Sequence, residues 1–263
     1  MSAVIDLQNI SVVRGGKSIL TSLSFQAQSN ERWVILGANG AGKTTLLRVC
    51  AAQIQPSSGV ARLLGQQLGE TNVFELRTRI GFASSALAAQ IPNSESVLNA
   101  VMTASYGVTG RWNESYDALD ERRARRVLKE WELADFEERA FGTLSDGERK
   151  RVQIARSIMT DPELLLLDEP VASLDIGARE LTIGLLAGYA QSEYAPAMAM
   201  VTHHLEEIPA GFTHALILKG GEVMARGEIG ATITSESISE AFNHPLSVTY
   251  QNGRFSALSA LDS

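Results

Sequence analysis

A chain of 263 residues with 44% hydrophobic and 20% charged side chains has the profile of an ordinary globular protein, long enough for one large core or two small ones. Its net charge of −7 argues against sequence-independent binding to nucleic acid, and a single cysteine, Cys50, excludes an intrachain disulfide or a cysteine-cluster metal site. No apolar run reaches membrane-spanning length, and Met1–Leu7 carry an acid but no basic region, so a chain in a reducing cytoplasm without a secretory signal is expected.

Residues 4–36 alternate apolar and polar positions around a Gly15-Gly16 break, which predicts short antiparallel strands and a hairpin. Between a strand-like run, Trp33-Val34-Ile35-Leu36, and a helix-like one, Leu46 to Ala52, stands Gly37-Ala38-Asn39-Gly40-Ala41-Gly42-Lys43-Thr44-Thr45. A glycine loop joining strand to helix and closed by Gly-Lys-Thr is the phosphate-binding pattern. Its glycines let successive N–H groups point at phosphate oxygens where Cβ atoms would obstruct, and the helix start adds its dipole and unpaired N–H groups. The pattern directs Lys43 to the β- and γ-phosphates and the Thr44 hydroxyl to Mg²⁺, so a nucleoside triphosphate is the expected ligand.

Turn residues Pro56-Ser57-Ser58-Gly59 precede a strand at Val60–Leu64, and Ile80–Ala83 predicts another. From Ser84 to Thr143 the texture turns helical. Val97, Ala100, Val101 and Ala104 have helical spacing, as do Tyr116, Leu119, Arg123, Val127, Leu128, Trp131 and Leu133, with Gly107–Asn113 as a loop. This reads as a helical subdomain inserted between two sheet-forming halves. Within it Arg122, Arg123, Arg125 and Arg126 are flanked by Asp117, Asp120, Glu121, Glu130 and Glu132 at (i, i+3) and (i, i+4) spacings. A solvated, salt-bridged helix face is favoured there over a patch for nucleic acid or lipid.

Residues 145–158 predict a long helix, 163–169 a buried strand, 177–191 a helix, 197–202 a second buried strand and 215–225 a hairpin about Gly220-Gly221. Alternating strands and helices imply a mostly parallel sheet covered on both faces. Beyond Thr234 the chain is mixed and polar, with a strand expected at Val248–Tyr250 and a turn at Asn252-Gly253.

Four leucines, Leu164 to Leu167, give a strand buried on both faces, so Asp168 and Glu169 should emerge at the carboxyl edge of the sheet, where ligands bind. Asp168 is then placed to hold Mg²⁺ through its water shell, and Glu169 to face the γ-phosphate and polarise the attacking water. Leu144-Ser145-Asp146-Gly147-Glu148 opens the 145–158 helix as a capping box, with Ser145 as N-cap and Glu148 at N3. The same helix start can bind an anion, and the local pattern is compatible with both roles.

Taken in order, these motifs resemble those of the ATP-binding-cassette (ABC) ATPases across residues 4 to about 228, in layout closest to ATPases grouped with importers of iron complexes, vitamin B12 and molybdate. Gly37–Thr44 is similar to Walker A, Leu144–Glu148 to the signature (commonly Leu-Ser-Gly-Gly-Gln), and Leu164–Glu169 to Walker B. Ser173-Leu174-Asp175 is similar to the D-loop and Thr202-His203 to the switch histidine.

The resemblance implies an α/β fold: a P-loop NTPase (RecA-like) core with a mostly parallel sheet, an N-terminal antiparallel β subdomain and an inserted α-helical subdomain. The core would span 4–83 and 150–230, the helical subdomain about 84–149, and a short C-terminal extension 231–263. It implies an ATPase that powers transport through separate transmembrane permease subunits, with ATP and Mg²⁺ as cofactors. It would work as a homodimer or beside a related ATPase subunit, peripheral on the inner face of the cell membrane, without nucleic acid. ATP contacts fall to Gly37, Asn39, Gly40, Ala41, Gly42, Lys43, Thr44 and Thr45, Mg²⁺ to Thr44 and Asp168, and catalysis to Glu169 and His203. Ser145, Gly147 and Glu148 would act in trans on ATP held by a second subunit, and Asp175 would cross that interface. His204, His214 and His244 fall outside the site.

Three departures matter. Where the family has Gln after the strand Ile80–Ala83, this chain has Ser84-Ser85; serine at position 85 needs a bridging water or a shifted loop to reach the Mg²⁺ shell. That loosens the expected coupling to a permease and keeps a soluble, non-transport ABC ATPase as the alternative. The adenine-stacking aromatic is absent near Val13-Arg14, so Arg14 either stacks its guanidinium on the base, worth about 0.5–2 kcal/mol, or is a surface arginine beside a turn. Asp146 and Glu148 replace Gly and Gln of the signature; with Glu148 held in the capping box and Asp146 in solvent, their charge weakens closure without abolishing it.

Overall fold

The computed structural model describes residues 3–106 and 118–260. Strands β1 (Ala3–Arg14) and β2 (Lys17–Gln28) pair antiparallel across Gly15 and Gly16, both at positive φ (55° and 75°), as a two-residue hairpin turn requires. The short segments expected in this stretch are two continuous 12-residue strands whose pairing shifts register at bulges. The next elements are β3 (Arg32–Leu36), α1 (Lys43–Cys50), β4 (Ser58–Leu63), β5 (Gln66–Gln67) and α2 (Val73–Thr78). β6 (Ile80–Ala83) leads into α3 (Ser85–Ala88), α4 (Val97–Met102), α5 (Ala118–Glu130) and α6 (Asp146–Ile158). Then follow β7 (Leu164–Asp168), α7 (Ile176–Ala190), β8 (Ala197–Val201), β9 (His214–Lys219) and β10 (Glu222–Glu228). The chain closes with α8 (Ile229–Thr232), α9 (Ser235–Phe242), β11 (Leu246–Gln251) and β12 (Arg254–Ser259).

A six-stranded sheet in the order β10-β9-β3-β8-β7-β6 forms the centre. Its pairs are parallel from β9 through β6, and β10 is antiparallel at the edge. Period-two alternation splits the central strands between two cores. Trp33, Ile35, Leu164, Leu166, Leu216 and Leu218 join α1 and the antiparallel sheet β2-β1-β4-β5 on one face. Val34, Leu36, Leu165, Leu167, Met198, Met200 and Ile217 meet the helices α4 to α7 on the other. Cys50 is fully buried in the first core, where burial pushes its thiol up to about 12, an inert small side chain.

In the helical stretch, Ala124, Val127 and Leu128 of α5 are buried beside Trp131 and Leu133, while Leu119 faces solvent despite its apolar spacing. The arginine face of α5 is ion-paired: Arg125 with Glu121 (2.6 Å) and Glu137 (3.0 Å), Arg126 with Glu130 (3.9 Å), Arg123 with Asp161 (3.4 Å). Arg123 also donates to the Met159 carbonyl at 2.6 Å, fastening α5 to the end of α6. The expected loop at 107–113, Tyr116 and Asp117 lie outside the described residues.

The polar tail is more ordered than its composition suggests. Thr234 and Ser237 form a capping box that opens α9, and β11 and β12 pair around Asn252-Gly253, both in left-handed backbone (φ 50° and 78°). Arg254 fastens this hairpin inward, donating to Glu180 of α7 at 2.9 Å and to the carbonyl of Glu206. No helix among the described residues is long and apolar enough to cross a membrane.

Leu166 is fully buried between the sheet and α1. Leu166→Ala is expected to cost about 2–5 kcal/mol, read as a lower urea midpoint at unchanged m-value; a midpoint equal to the native one would mean that this layer is not close-packed.

Candidate active site

β3 ends at Leu36 and the loop turns at Gly37 (φ 148°), where a Cβ would stand 2.3 Å from the Leu218 carbonyl oxygen of β9. Gly42 (φ 98°) opens α1 with no side-chain cap, and a Cβ there would meet Leu20 Cδ2 at 2.6 Å. Only glycine allows the loop to thread between β9 and β2 at these two points. The uncapped start leaves the first-turn N–H groups of α1 directed outward, free for an anion. Lys43 is only 6% exposed, and its Nζ donates to the carbonyls of Gly37 (2.7 Å) and Ala38 (3.1 Å). Burial lowers its pKa, and the Glu169 and Asp168 carboxylates oppose that shift.

Above this loop lies a cavity of about 510 Å³, walled by the loop from Asn39 to Thr45, by Lys17, Ser18 and Ile19 of β2, and by Glu169 and Gly220. Arg14 is not on that wall. It is exposed at the end of β1, paired across the hairpin with Lys17, and the bend of the turn presents β2 to the cavity in its place. No aromatic side chain is among the lining residues.

The acidic side of the site comes from β7. The Thr44 hydroxyl donates to Asp168 Oδ1 at 3.1 Å; burial raises the Asp168 pKa, and this hydrogen bond opposes the rise. Glu169 takes left-handed backbone (φ 48°) and donates its N–H to the Val201 carbonyl at 3.1 Å. Its Oε1 lies 3.1 Å from Nδ1 of His203, which follows β8. The turn after His203 is held by the buried Thr202 hydroxyl, which donates to the buried Glu207 carboxylate and accepts the His204 N–H at 3.1 Å. His214 stacks on Trp33 and His244 meets Ser259, away from the site, but His204, expected outside it, packs its ring 4.1 Å from that of His203 while pairing with Glu206 at 3.7 Å.

At the end of β6, the Ser84 hydroxyl accepts the Leu87 N–H at 3.3 Å as the cap of α3. Ser85 is met by Lys150 of α6, whose Nζ donates to Ser85 Oγ at 3.1 Å and to the Glu169 carbonyl at 3.0 Å. Lys150 did not emerge from the motifs. Its trace in the sequence is a lysine three residues after Gly147 and four before Ile154, both buried, which places it on the apolar stripe of α6.

The signature segment forms the expected capping box. Ser145 Oγ accepts the Glu148 N–H at 3.3 Å and Glu148 Oε2 accepts the Ser145 N–H at 2.7 Å. Asp146 points to solvent beside Arg149 (3.9 Å), and Glu148 has Arg139 at 3.9 Å, so both added charges are partly neutralised. A Cβ on Gly147 would lie 2.8 Å from Ala178 Cβ, so this glycine also lets α6 and α7 cross closely. Asp175 caps α7, its Oδ1 accepting the Ala178 N–H at 2.9 Å. Ser145, Gly147, Glu148 and Asp175 do not line the cavity of their own chain.

The profile of the ABC transporter family matches residues 20–172. The chain is 38% identical over 252 residues, 95% of each sequence, to the uncharacterised ABC transporter ATP-binding protein YlmA of Bacillus subtilis. It is 30% identical to the hemin import ATP-binding protein HmuV of Streptomyces coelicolor, covering 89% of this chain and 81% of that one. Among solved structures it is similar in fold to CbiO1 of Clostridium perfringens, part of an ABC transporter complex (TM-score 0.77, 23% identity, 91% and 94% of the chains). It also resembles a dimeric ATP-binding cassette bound to ADP and Pi (TM-score 0.73, 23% identity, 86% and 98%). This chain belongs to the ABC transporter family. It is an ATP-binding and ATP-hydrolysing subunit that serves transmembrane permease subunits, and the soluble, non-transport alternative finds no support among these relatives.

Gly37→Ala is expected to weaken ATP binding by about tenfold or more, equivalent to about 1.4 kcal/mol, in a fluorescence titration with a nucleotide analogue. Native affinity in that variant would mean that the loop can move off the Leu218 carbonyl freely.

Proposed function

We propose that this chain is the ATPase of an importer, that it hydrolyses MgATP with Glu169 and His203, and that two copies close head to tail around the nucleotide. The observation that carries the catalytic assignment is the Glu169–His203 pair, 3.1 Å apart, of which Glu169 lines the cavity together with Lys43 and His203 stands behind Glu169. Lys43, freed from the Gly37 and Ala38 carbonyls, is the cation for the β- and γ-phosphates, and the N–H groups from Asn39 to Thr45 wrap them. The Thr44 hydroxyl and the Asp168 carboxylate fit a hard divalent cation. Two protein oxygens are too few to hold such an ion alone and suit one taken up with the triphosphate. Mg²⁺ held there supplies charge neutralisation on the phosphate oxygens. Glu169 orients and polarises the attacking water, and His203 steadies that carboxylate by donating from Nδ1.

The trans arrangement is supported by the position of Ser145, Gly147 and Glu148 outside their own chain's cavity, at a solvent-facing helix start suited to an anion. Asp175, exposed at the head of α7, is the residue assigned to cross the interface. The working division is a core of 4–83 and 150–230, a helical subdomain of about 84–149 and an extension of 231–263, the chain lying on the inner membrane face beneath its permease. Cargo of the iron-complex class is supported by the hemin-import relative.

Three measurements test this reading. Lys43→Ala should abolish ATP binding. Glu169→Gln should bind ATP while slowing hydrolysis about 10²-fold or more, and should elute as a dimer in MgATP; a monomer there removes the trans mechanism. Proteoliposomes with the cognate permease should take up hemin only when ATP is present, and no uptake would exclude that cargo.

A further inference from the structure

The backbone of Glu169 is held in an unusual state. Its φ of 48° is a conformation that a side-chain-bearing residue keeps only where its neighbours over-determine it. The restraint comes from both sides of the residue. The N–H is fixed to the Val201 carbonyl of β8 at 3.1 Å. The carbonyl accepts the Ala172 N–H at 3.3 Å within its own turn, and the Lys150 ammonium at the shorter distance of 3.0 Å. That second bond is charge-assisted and is the one that reaches outside the turn, to α6. The same ammonium is anchored at 3.1 Å to Ser85 Oγ, at the head of α3.

We infer that Lys150 is a positioning residue for ATP hydrolysis: by bridging Ser85 and the Glu169 carbonyl it fixes the Glu169 peptide and so aims the carboxylate at its place beside His203. This rests on the reading of Glu169 as the group that polarises the attacking water. Lys150 acts through Glu169: its ammonium is engaged by the Ser85 hydroxyl and the Glu169 carbonyl, whereas Lys43 is the ammonium on the cavity wall. Burial lowers the Lys150 pKa, and the acids that face it, Glu169 first, then Asp168, Glu207 and Asp146, oppose that shift. The bridge makes the Glu169 peptide sensitive to the position of the segment after β6, since moving Ser85 pulls on the ammonium that holds the carbonyl.

The test is Lys150→Met in two backgrounds, native and Glu169→Gln, with melting temperature as the folding control. In the native background kcat should fall about tenfold with KM for ATP within about twofold, the pattern of a group that acts in the transition state alone. In the Glu169→Gln background the residual rate should change by less than about twofold, because residues acting as one unit are non-additive. Lys150→Arg, which keeps a charged donor, should regain part of the lost kcat. Equal losses in both backgrounds, a change confined to KM, or an unaltered kcat would each overturn the inference. If Lys150→Met does not fold, Ser85→Ala, which removes one anchor of the bridge, must lower kcat without raising KM, and failure to do so is equally decisive. The two readings separate cleanly. Glu169→Gln with native hydrolysis refutes the role of Glu169, whereas an inactive Glu169→Gln beside a fully active Lys150→Met refutes the bridge alone.

Discussion

At the centre of the molecule Val201 of β8 pairs with Ile35 of β3 on one side and Asp168 of β7 on the other, all parallel. This register fixes where the chemistry can occur. Three strands that end level with one another release the Gly37 loop, the Asp168-Glu169 pair and Thr202-His203 at one edge of the sheet. Because the strands are buried on both faces, a slip of one residue would exchange the two cores and is strongly disfavoured. The precision of the site is therefore inherited from apolar packing several ångströms below it.

On that platform Lys43, Asp168, Glu169 and Glu207 each have a partner. Lys43 is satisfied by loop carbonyls, Asp168 by the Thr44 hydroxyl, Glu169 by His203, and Glu207 by Thr202. Burial shifts Lys43 and Lys150 down and Asp168 up, each toward its neutral form, which is the expected response of groups removed from water. A polyanionic ligand with its cation suits such an edge, because it adds charge of both signs where the protein has already arranged partners.

The elements around this edge are tied to it by side chains that come from far along the chain. Arg254 of β12 reaches Glu180 of α7 and the carbonyl of Glu206, in the short turn that follows the two histidines. Arg123 fastens α5 to the end of α6, and α6 carries the capping box at its head and Lys150 one turn later. The helix that begins at Ser145 thus spans from an exposed start closed by its capping box to the buried neighbourhood of Glu169.

Features set by a few neighbouring residues were legible in the sequence. The strand–loop–helix at Leu36 to Lys43, the capping box at Ser145, the leucine strand of β7 and the hairpin turns at Gly15-Gly16 and Asn252-Gly253 all rest on local backbone preferences and periodicity, which the residues carry wherever they stand. Tertiary packing decided the rest: that Leu119 faces solvent, that Lys17 and not Arg14 walls the cavity, and that α9 folds and the tail hairpin is pinned by Arg254. It alone brought His203 to Glu169 across 34 residues and Lys150 to Ser85 across 65. Such contacts are closed by the stacking of whole layers, and no spacing along the chain records which side chains that stacking will bring face to face.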